Sequence, residues 1–551
     1  MTQQDGANTA SLREVNLAKL QGLACDVLIV GAGINGAVAA AALAAKGASV
    51  ALVDRGDFAS QTSSNSSNLA WGGIKYLESR EFSLVNKLCQ SRNHLMRSYP
   101  SMVKEIRFLT TIQRGFRFAP FFVYLGTLVY WLFGRFFTRG PAYLRPRWIE
   151  AREPIINTAN ATGGFEYSDA YLCDNDARFV FNFVRTALNH GAVAANYISC
   201  ENSEYRDALW HSTLRDTTSG EQYRMRSKVL INACGPWVDQ LNATLGVTTR
   251  HHHLFSKGIH LIIDRITTHE KVLAFFASDG RLFFVIPMGA KTCVGTTDTP
   301  VASPETEVTL DDRQFVLDNV NRLLDLPRPL TLNDIISERC GVRPLAVSGS
   351  GARGEGRAGD WVKLSRKHAI DIDHQRKQLS IFGGKLTDCI NVGEEIAEQV
   401  VDLGIELVNS GSGWYGEADQ GARAKFLAEA EALQLDNLTD PNASEPLSQR
   451  LWRRHGTEAV DLLAIIRNCP ERACVLIPGG EFIDAELELA ARNEMIVKLE
   501  DLVRRRSKIA LVVRREELLA SAGLKRAAEY LFGGAWQDKL AEFVASLPIQ
   551  K

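Results

Sequence analysis

The sequence predicts an α/β protein: a dinucleotide-binding unit of Rossmann type, a β-rich insertion and a helical C-terminal domain. Three observations carry this. Cys25 to Asp54 reads CDVLIVGAGINGAVAAAALAAKGASVALVD, a strand, a glycine turn, a helix and a strand ending on an acid. Between about 250 and 335 the apolar runs have strand length: GIHLIID, RLFFVIPM and KTCVGTTD. From about 421 onward Ala, Leu, Glu and Arg dominate and the pattern is helical.

In the first unit each residue type has a mechanical reason. Gly31 permits the tight turn, Gly33 lets backbone approach a pyrophosphate, and Gly36 lets the helix press on the sheet. The helix start, at Ile34 and Asn35, offers free N–H groups and partial positive charge to phosphates. Asp54, followed by Arg55, lies 23 residues past Gly31 and suits a ribose diol. Next comes GDFASQTSSNSSNLAWGGIKYLES, a Ser/Asn-rich loop. Its Ser63, Ser64 and Asn68 can face phosphates or a ring system before it closes through Trp71 on Gly72 and Gly73.

Further on, helices are expected at Ser79–Ser98 and Asp176–His190, then a strand meander from Val193 to Leu230. The run Lys228 to Gly235 ends in NACGPWVD, placing Gly235 and Trp237 at the carboxyl edge of the sheet. A helix at Asp311–Leu326 closes the β-rich part. GVRPL and IFGGKLTD follow, then a helix from Asn391 to Leu403. The expected division is an N-terminal extension at 1–22 and a discontinuous dinucleotide domain over 23–405, in pieces 23–110, 150–250 and 336–405. Insertions fall at 111–149 and 251–335, and a helical domain covers 406–551. Its helices are expected at Ala422–Leu433, Ser448–Arg467 and Asp484–Arg504, with a capping or homodimer role.

Composition narrows the function. Sixty-three basic residues stand against 64 acidic ones, so nothing favours nucleic acid as a partner. The ten cysteines are scattered without a C-x-x-C, as free thiols are in a reducing compartment. The N-terminal stretch has no apolar core, so a cytoplasmic location is expected. The triplet His251–His253 reads as a solvated loop, and no metal is expected. From Phe118 to Gly134 seventeen residues carry no charge, with Arg114 and Arg117 before them and Arg135 and Arg139 after. That is at the short end for a span. Its aromatics fit docking on a membrane surface, while burial in a second domain is the plainer alternative.

Several motifs occur in a fixed order: DVLIVGAGINGA, SSNSSNLAWGGIKYLE, GFEYSDAYLCD, NACGPWVD, KGIHLII, FFVIP, GTTDT, GVRPL, LSRKHAIDI and IFGGKLTD. Together they resemble the FAD-dependent glycerol-3-phosphate dehydrogenase/oxidase family over residues 12 to 405. RHG at Arg454–Gly456 and EMIVKLEDLVRRRS resemble that family's C-terminal domain. The resemblance implies a glutathione-reductase-type FAD fold with a substrate cap, and oxidation of sn-glycerol 3-phosphate to dihydroxyacetone phosphate. It also implies quinone as acceptor and peripheral docking on the inner face of the cell membrane. The alternatives are another phosphorylated polyol or 2-hydroxy acid, or a flavin protein with impaired turnover.

Flavin oxidation of a secondary alcohol needs a base for the hydroxyl proton and cations for a phosphate dianion. By resemblance, Arg343 leads for the phosphate, with Arg366, Arg281, Lys75 and Tyr76 beside it. Gly383, Gly384, Lys385, Leu386 and Thr387 precede a helix, so their N–H groups can face the flavin while Lys385 supplies a cation. His260 is the expected base, with Lys257 as second candidate. Three positions depart from the family pattern: Trp71 where histidine is common, Lys75 for arginine, and Asp388 for threonine.

Overall fold

The computed structural model describes residues 11–277, 279–349 and 367–547. The run Ala24–Val30 forms the centre of an eight-stranded sheet, because its residues from Val27 on are buried on both faces. Val50–Val53 and Gln222–Asn232 flank it in parallel, and Val193–Ala195 and Gln378–Phe382 extend it in parallel outward. The helix Ile34–Ala45 starts at the carboxyl end of the first strand. Seven of its twelve residues are alanine and all but Ile34 are buried, since it is pressed between the helices Asp176–Asn189 and Cys389–Asp402 as well as the sheet. Small side chains are what such a three-sided fit admits.

A second sheet of ten strands stands beside the first. Its backbone is His251–Asp264, paired antiparallel with Lys291–Gly295 on one side and along its length with Ile335–Ser348 on the other. The sheet is not confined to 251–335. Val103–Gln113 and Ala161–Leu172 pair over their whole length and join it through Lys271–Phe276. These two strands lie in the parts of the sequence expected to belong to the dinucleotide unit. Ala161–Leu172 shows no alternation because it is buried on both faces, its Glu166 included, which is held in ion pairs with Arg107 and Lys271.

The two faces of this sheet differ. Ile259, Leu261 and Ile263 pack under the helix Leu310–Leu323. Ile262 and Ile286 face the other way, toward Phe108, Tyr167, Trp71 and Leu502. The expected helix at Ser79–Ser98 begins at Phe82. The expected helices Ser448–Arg467 and Asp484–Arg504 are each broken in two. Gly456 turns the first at φ 55° and Met495 the second at φ 51°. The triplet His251–His253 is not a loop but the start of the long strand, and His253 is buried.

The uncharged segment forms the helix Pro120–Phe133, with proline in its first turn and Gly134 at its end. Only Thr127 and Tyr130 are buried, Tyr130 donating to Asp169 at 2.7 Å. Phe121, Phe122, Leu125, Val129 and Leu132 stay exposed, Phe122 at 66%, so the buried-helix alternative does not hold. Among the described residues no helix is long and apolar enough to cross a membrane.

Candidate active site

The dinucleotide cradle is built from close approaches that only glycine allows. Gly31 has φ 101°, and a Cβ on it would stand 2.5 Å from the Ala233 carbonyl oxygen. A Cβ on Gly36 would stand 1.8 Å from the Gly31 oxygen. No side chain of the preceding residue caps the helix start, and Ser63 Oγ reaches in to accept from the Ile34 N–H at 3.0 Å. Asp54 accepts from the N–H groups of Ala32 at 2.7 Å and Gly56 at 2.9 Å. Burial, only partly offset by those bonds, pushes its carboxyl up to about 6. Arg55 lies over the Trp237 ring at 4.4 Å, forming a flat wall beyond Gly235.

At the far end Asn35 donates to the Gly383 carbonyl at 3.0 Å, tying the helix start to the GGKLT turn. Gly383 and Gly384 both have positive φ, 64° and 106°, which glycine takes without strain. His253 Nε2 accepts from the Gly383 N–H at 3.1 Å, a contact no local pattern announced. Thr387 donates to the Trp71 carbonyl, and Leu386 packs on the core of the first sheet. A glycine-lined helix start, a buried acid and a polar loop at this spacing fit an extended dinucleotide. Ser64 and Asn68 turn their side chains inward: Ser64 donates to Gln61, and Asn68 bonds Asp174 and Arg339. Gly72 N–H donates to Asp169, whose buried carboxylate also takes Arg92 and Tyr130. This support of the Gly72–Gly73 turn spans 97 residues and has no local signal, although Asp169 lies in the GFEYSDAYLCD motif.

The substrate side gathers on one face of the second sheet. Trp71 meets Phe284 edge-on at 6.4 Å and Tyr76 at 6.0 Å. The Lys385 ammonium sits 4.1 Å from the Tyr76 ring centroid and 5.8 Å from that of Trp71. Lys75 precedes Tyr76 on the short turn Ile74–Leu77. Gly295 pairs with both Phe284 and His260, which places the histidine next to this aromatic wall. Arg343 donates to Thr296 Oγ1 at 2.9 Å and to Thr297 O and Asp298 Oδ1, both at 3.2 Å. Its guanidinium lies across Gly258, where a Cβ would come within 2.2 Å of it. His260 is buried, and neither ring nitrogen has a hydrogen-bond partner among the described residues. Burial, with Arg343 and Arg339 nearby, pushes it down to about 3, so it is neutral at neutral pH.

Three other candidates stand apart. Lys257 does not join His260: three residues along a strand reverse the face, and Lys257 pairs with Asp312 at 2.5 Å on the helix side. Arg281 sits at a hairpin tip against Asp279 and over the Phe315 ring. Arg366 lies outside the described residues.

Comparison with known proteins gives the family. The family described as FAD dependent oxidoreductase matches residues 26–364, and the C-terminal domain of alpha-glycerophosphate oxidase matches residues 374–532. The glycerol-3-phosphate dehydrogenase of Pseudomonas aeruginosa is 30% identical over 494 residues, covering 88% of this chain and 92% of that one. The aerobic glycerol-3-phosphate dehydrogenase of Escherichia coli is 28% identical over 500 residues, covering 88% and 93%. The FAD complex of the glycerol-3-phosphate dehydrogenase from Bacillus halodurans shares the fold, with TM-score 0.70 at 22% identity, covering 97% and 96%. The first family match alone spans more than half of the chain. The protein therefore belongs to the FAD-dependent oxidoreductases, in the glycerol-3-phosphate dehydrogenase/oxidase family, with FAD as its cofactor.

Proposed function

We propose that the protein oxidises sn-glycerol 3-phosphate to dihydroxyacetone phosphate at the membrane surface and passes the electrons to quinone. The observation that carries the reading is the buried, neutral His260 beside the anchored guanidinium of Arg343, on the sheet face that Trp71, Tyr76 and Lys385 wall in. FAD, when bound, supplies the hydride acceptor at N5. Every other task falls to the chain.

Arg343 is held by Thr296, Thr297 and Asp298, so its cation is in place before a phosphate arrives. Lys385, over the rings of Trp71 and Tyr76, adds positive charge at the aromatic wall. His260 takes the proton of the carbon-2 hydroxyl. Alone it is a weak base, because burial and, after it, the charge of Arg343 disfavour its protonated form. A phosphate dianion seated on Arg343 cancels that charge, so binding of the substrate itself raises the basicity of His260. Trp71 cannot accept a proton and serves as an apolar wall that excludes water.

The docking part rests on the helix Pro120–Phe133. Its exposed Phe121, Phe122, Leu125 and Leu132, with the exposed Phe118, Phe136, Tyr143 and Trp148 close by in sequence, concentrate large apolar side chains in solvent, as docking surfaces do. Arg114, Arg117, Arg135 and Arg139 flank it in sequence and suit anionic headgroups. Turnover with glycerol 3-phosphate and a ubiquinone analogue tests the whole reading. One quinol and one dihydroxyacetone phosphate per substrate is the expected result. Product formed without quinol removes the quinone step. For docking, replacing Phe121, Phe122 and Leu132 by Ser is expected to abolish cosedimentation with anionic vesicles, and undiminished binding removes the membrane role.

A further inference from the structure

The C-terminal domain reaches the cofactor cradle through one unusual turn. Asp501–Arg506 is a π-helix, closed by the Ser507 N–H on the Leu502 carbonyl at 2.8 Å. Such turns are rare and concentrate at functional sites, because widening the ring releases backbone groups. Here the carbonyls of Arg504 and Ser507 both accept from Asn175 Nδ2, each at 2.9 Å. The three consecutive arginines leave the turn toward two targets. Arg505 Nε and both terminal nitrogens of Arg506 bond Asp57, at 2.7, 2.9 and 2.8 Å. Arg504 donates to the Glu338 carbonyl at 2.8 Å, one residue before Arg339.

Each target lies in, or is tied through a neighbouring residue to, a segment of the cradle. Asp57 lies three residues past Asp54, and its loop returns to the glycine turn by Ala59 N–H on the Ala32 carbonyl. Asn175 starts the helix Asp176–Asn189, and its neighbour Asp176 accepts from the Ser66 N–H at 2.8 Å. Arg339 donates to Ser66 O and Asn68 Oδ1 in the Ser/Asn-rich loop. Asp57, Arg505 and Arg506 are all buried. Buried ion pairs contribute little net stability compared with apolar packing, yet losing one partner strands the other. A bulk hydrophobic contact would join the domains as well. What the ion pairs add is a fixed position for the loop that carries Asp54.

We propose that the π-helix Asp501–Arg506 is a cofactor clamp: Arg505 and Arg506 act through Asp57 as positioning residues that set how long FAD stays bound. By linkage, FAD in its cradle then tightens the C-terminal domain onto the catalytic unit. The inference rests on FAD as cofactor and not on the substrate, so its test uses no substrate. FAD release from diluted holoenzyme is followed by the rise in flavin fluorescence, at a temperature well below unfolding. Asp57→Asn is expected to release FAD at least tenfold faster than the unchanged protein. Arg506→Lys, which keeps a cation against Asp57, is expected to fall between the two and remains informative if Asp57→Asn does not fold. Lys508→Met breaks the buried pair with Glu481 inside the C-terminal domain. It is expected to lower the melting temperature while FAD release stays within twofold. Release within twofold in both Asp57→Asn and Arg506→Lys overturns the clamp. So does equal acceleration in Lys508→Met, which would mean general loosening.

Discussion

At Gly258 a single methyl group would strike the end of Arg343 at 2.2 Å. The guanidinium ends a long side chain and can swing away, so Gly258→Ala is expected to cost position rather than stability. KM for glycerol 3-phosphate should rise about tenfold, roughly 1.4 kcal/mol, with the melting temperature nearly unchanged. Arg343→Ala goes further. Losing roughly 3–4 kcal/mol of charge-assisted hydrogen bonding lowers kcat/KM about 10²–10³-fold, while the bound flavin spectrum stays as it is. Arg343, His260 and Lys385 stand in local motifs, so the sequence offers them as candidates. It does not offer His253, since nothing near it announces Gly383, 130 residues away. Lys257 leaves the group, because positions three apart on a strand point to opposite faces and it pairs with Asp312 instead.

At the scale of elements, the GGKLT turn is held from below by a charged group that titrates. Burial works against a charged His368, but bonds to Asp388 and Glu395 outweigh it and lift the ring to about 9. Glu395 lies at 2.7 Å and Asp388 at 3.5 Å. The folded state therefore binds this proton more tightly than the unfolded chain, whose value is 6.5. Its contribution is complete below 6.5 and is lost as pH rises through about 9. The melting temperature is expected to fall across that window, and His368→Gln to flatten the fall; an unchanged slope would remove the pair from the account. Asp388 departs from the family pattern, and its place in this pair gives the departure a structural partner. The elements themselves are legible where motif and composition coincide, as in the Ala-rich helix Ile34–Ala45 after its glycine turn. They were least legible where capping breaks a helical pattern: Asp501 accepts from the N–H groups of Val497 and Lys498 and starts a new turn inside the expected helix.

For the whole molecule, two sheets stand side by side and a third, helical part is tied to both through buried ion pairs. Arg454 bonds Asp174 and Glu486, Arg178 bonds Glu494, and Arg506 bonds Asp57. Such long-range pairs leave no trace in composition, so the role of the last 140 or so residues could not be read from sequence, although their helical content could. The second sheet was half legible, because its strands from the first 172 residues are hidden between dinucleotide-unit segments. The central claim is that this assembly delivers electrons from glycerol 3-phosphate to flavin. Anaerobic mixing of the purified holoenzyme with glycerol 3-phosphate tests it most directly. Bleaching of the oxidised flavin absorbance, lost in Arg343→Ala at the same substrate concentration, is the expected result. A flavin that stays oxidised with glycerol 3-phosphate, while dithionite still reduces it, would contradict the claim.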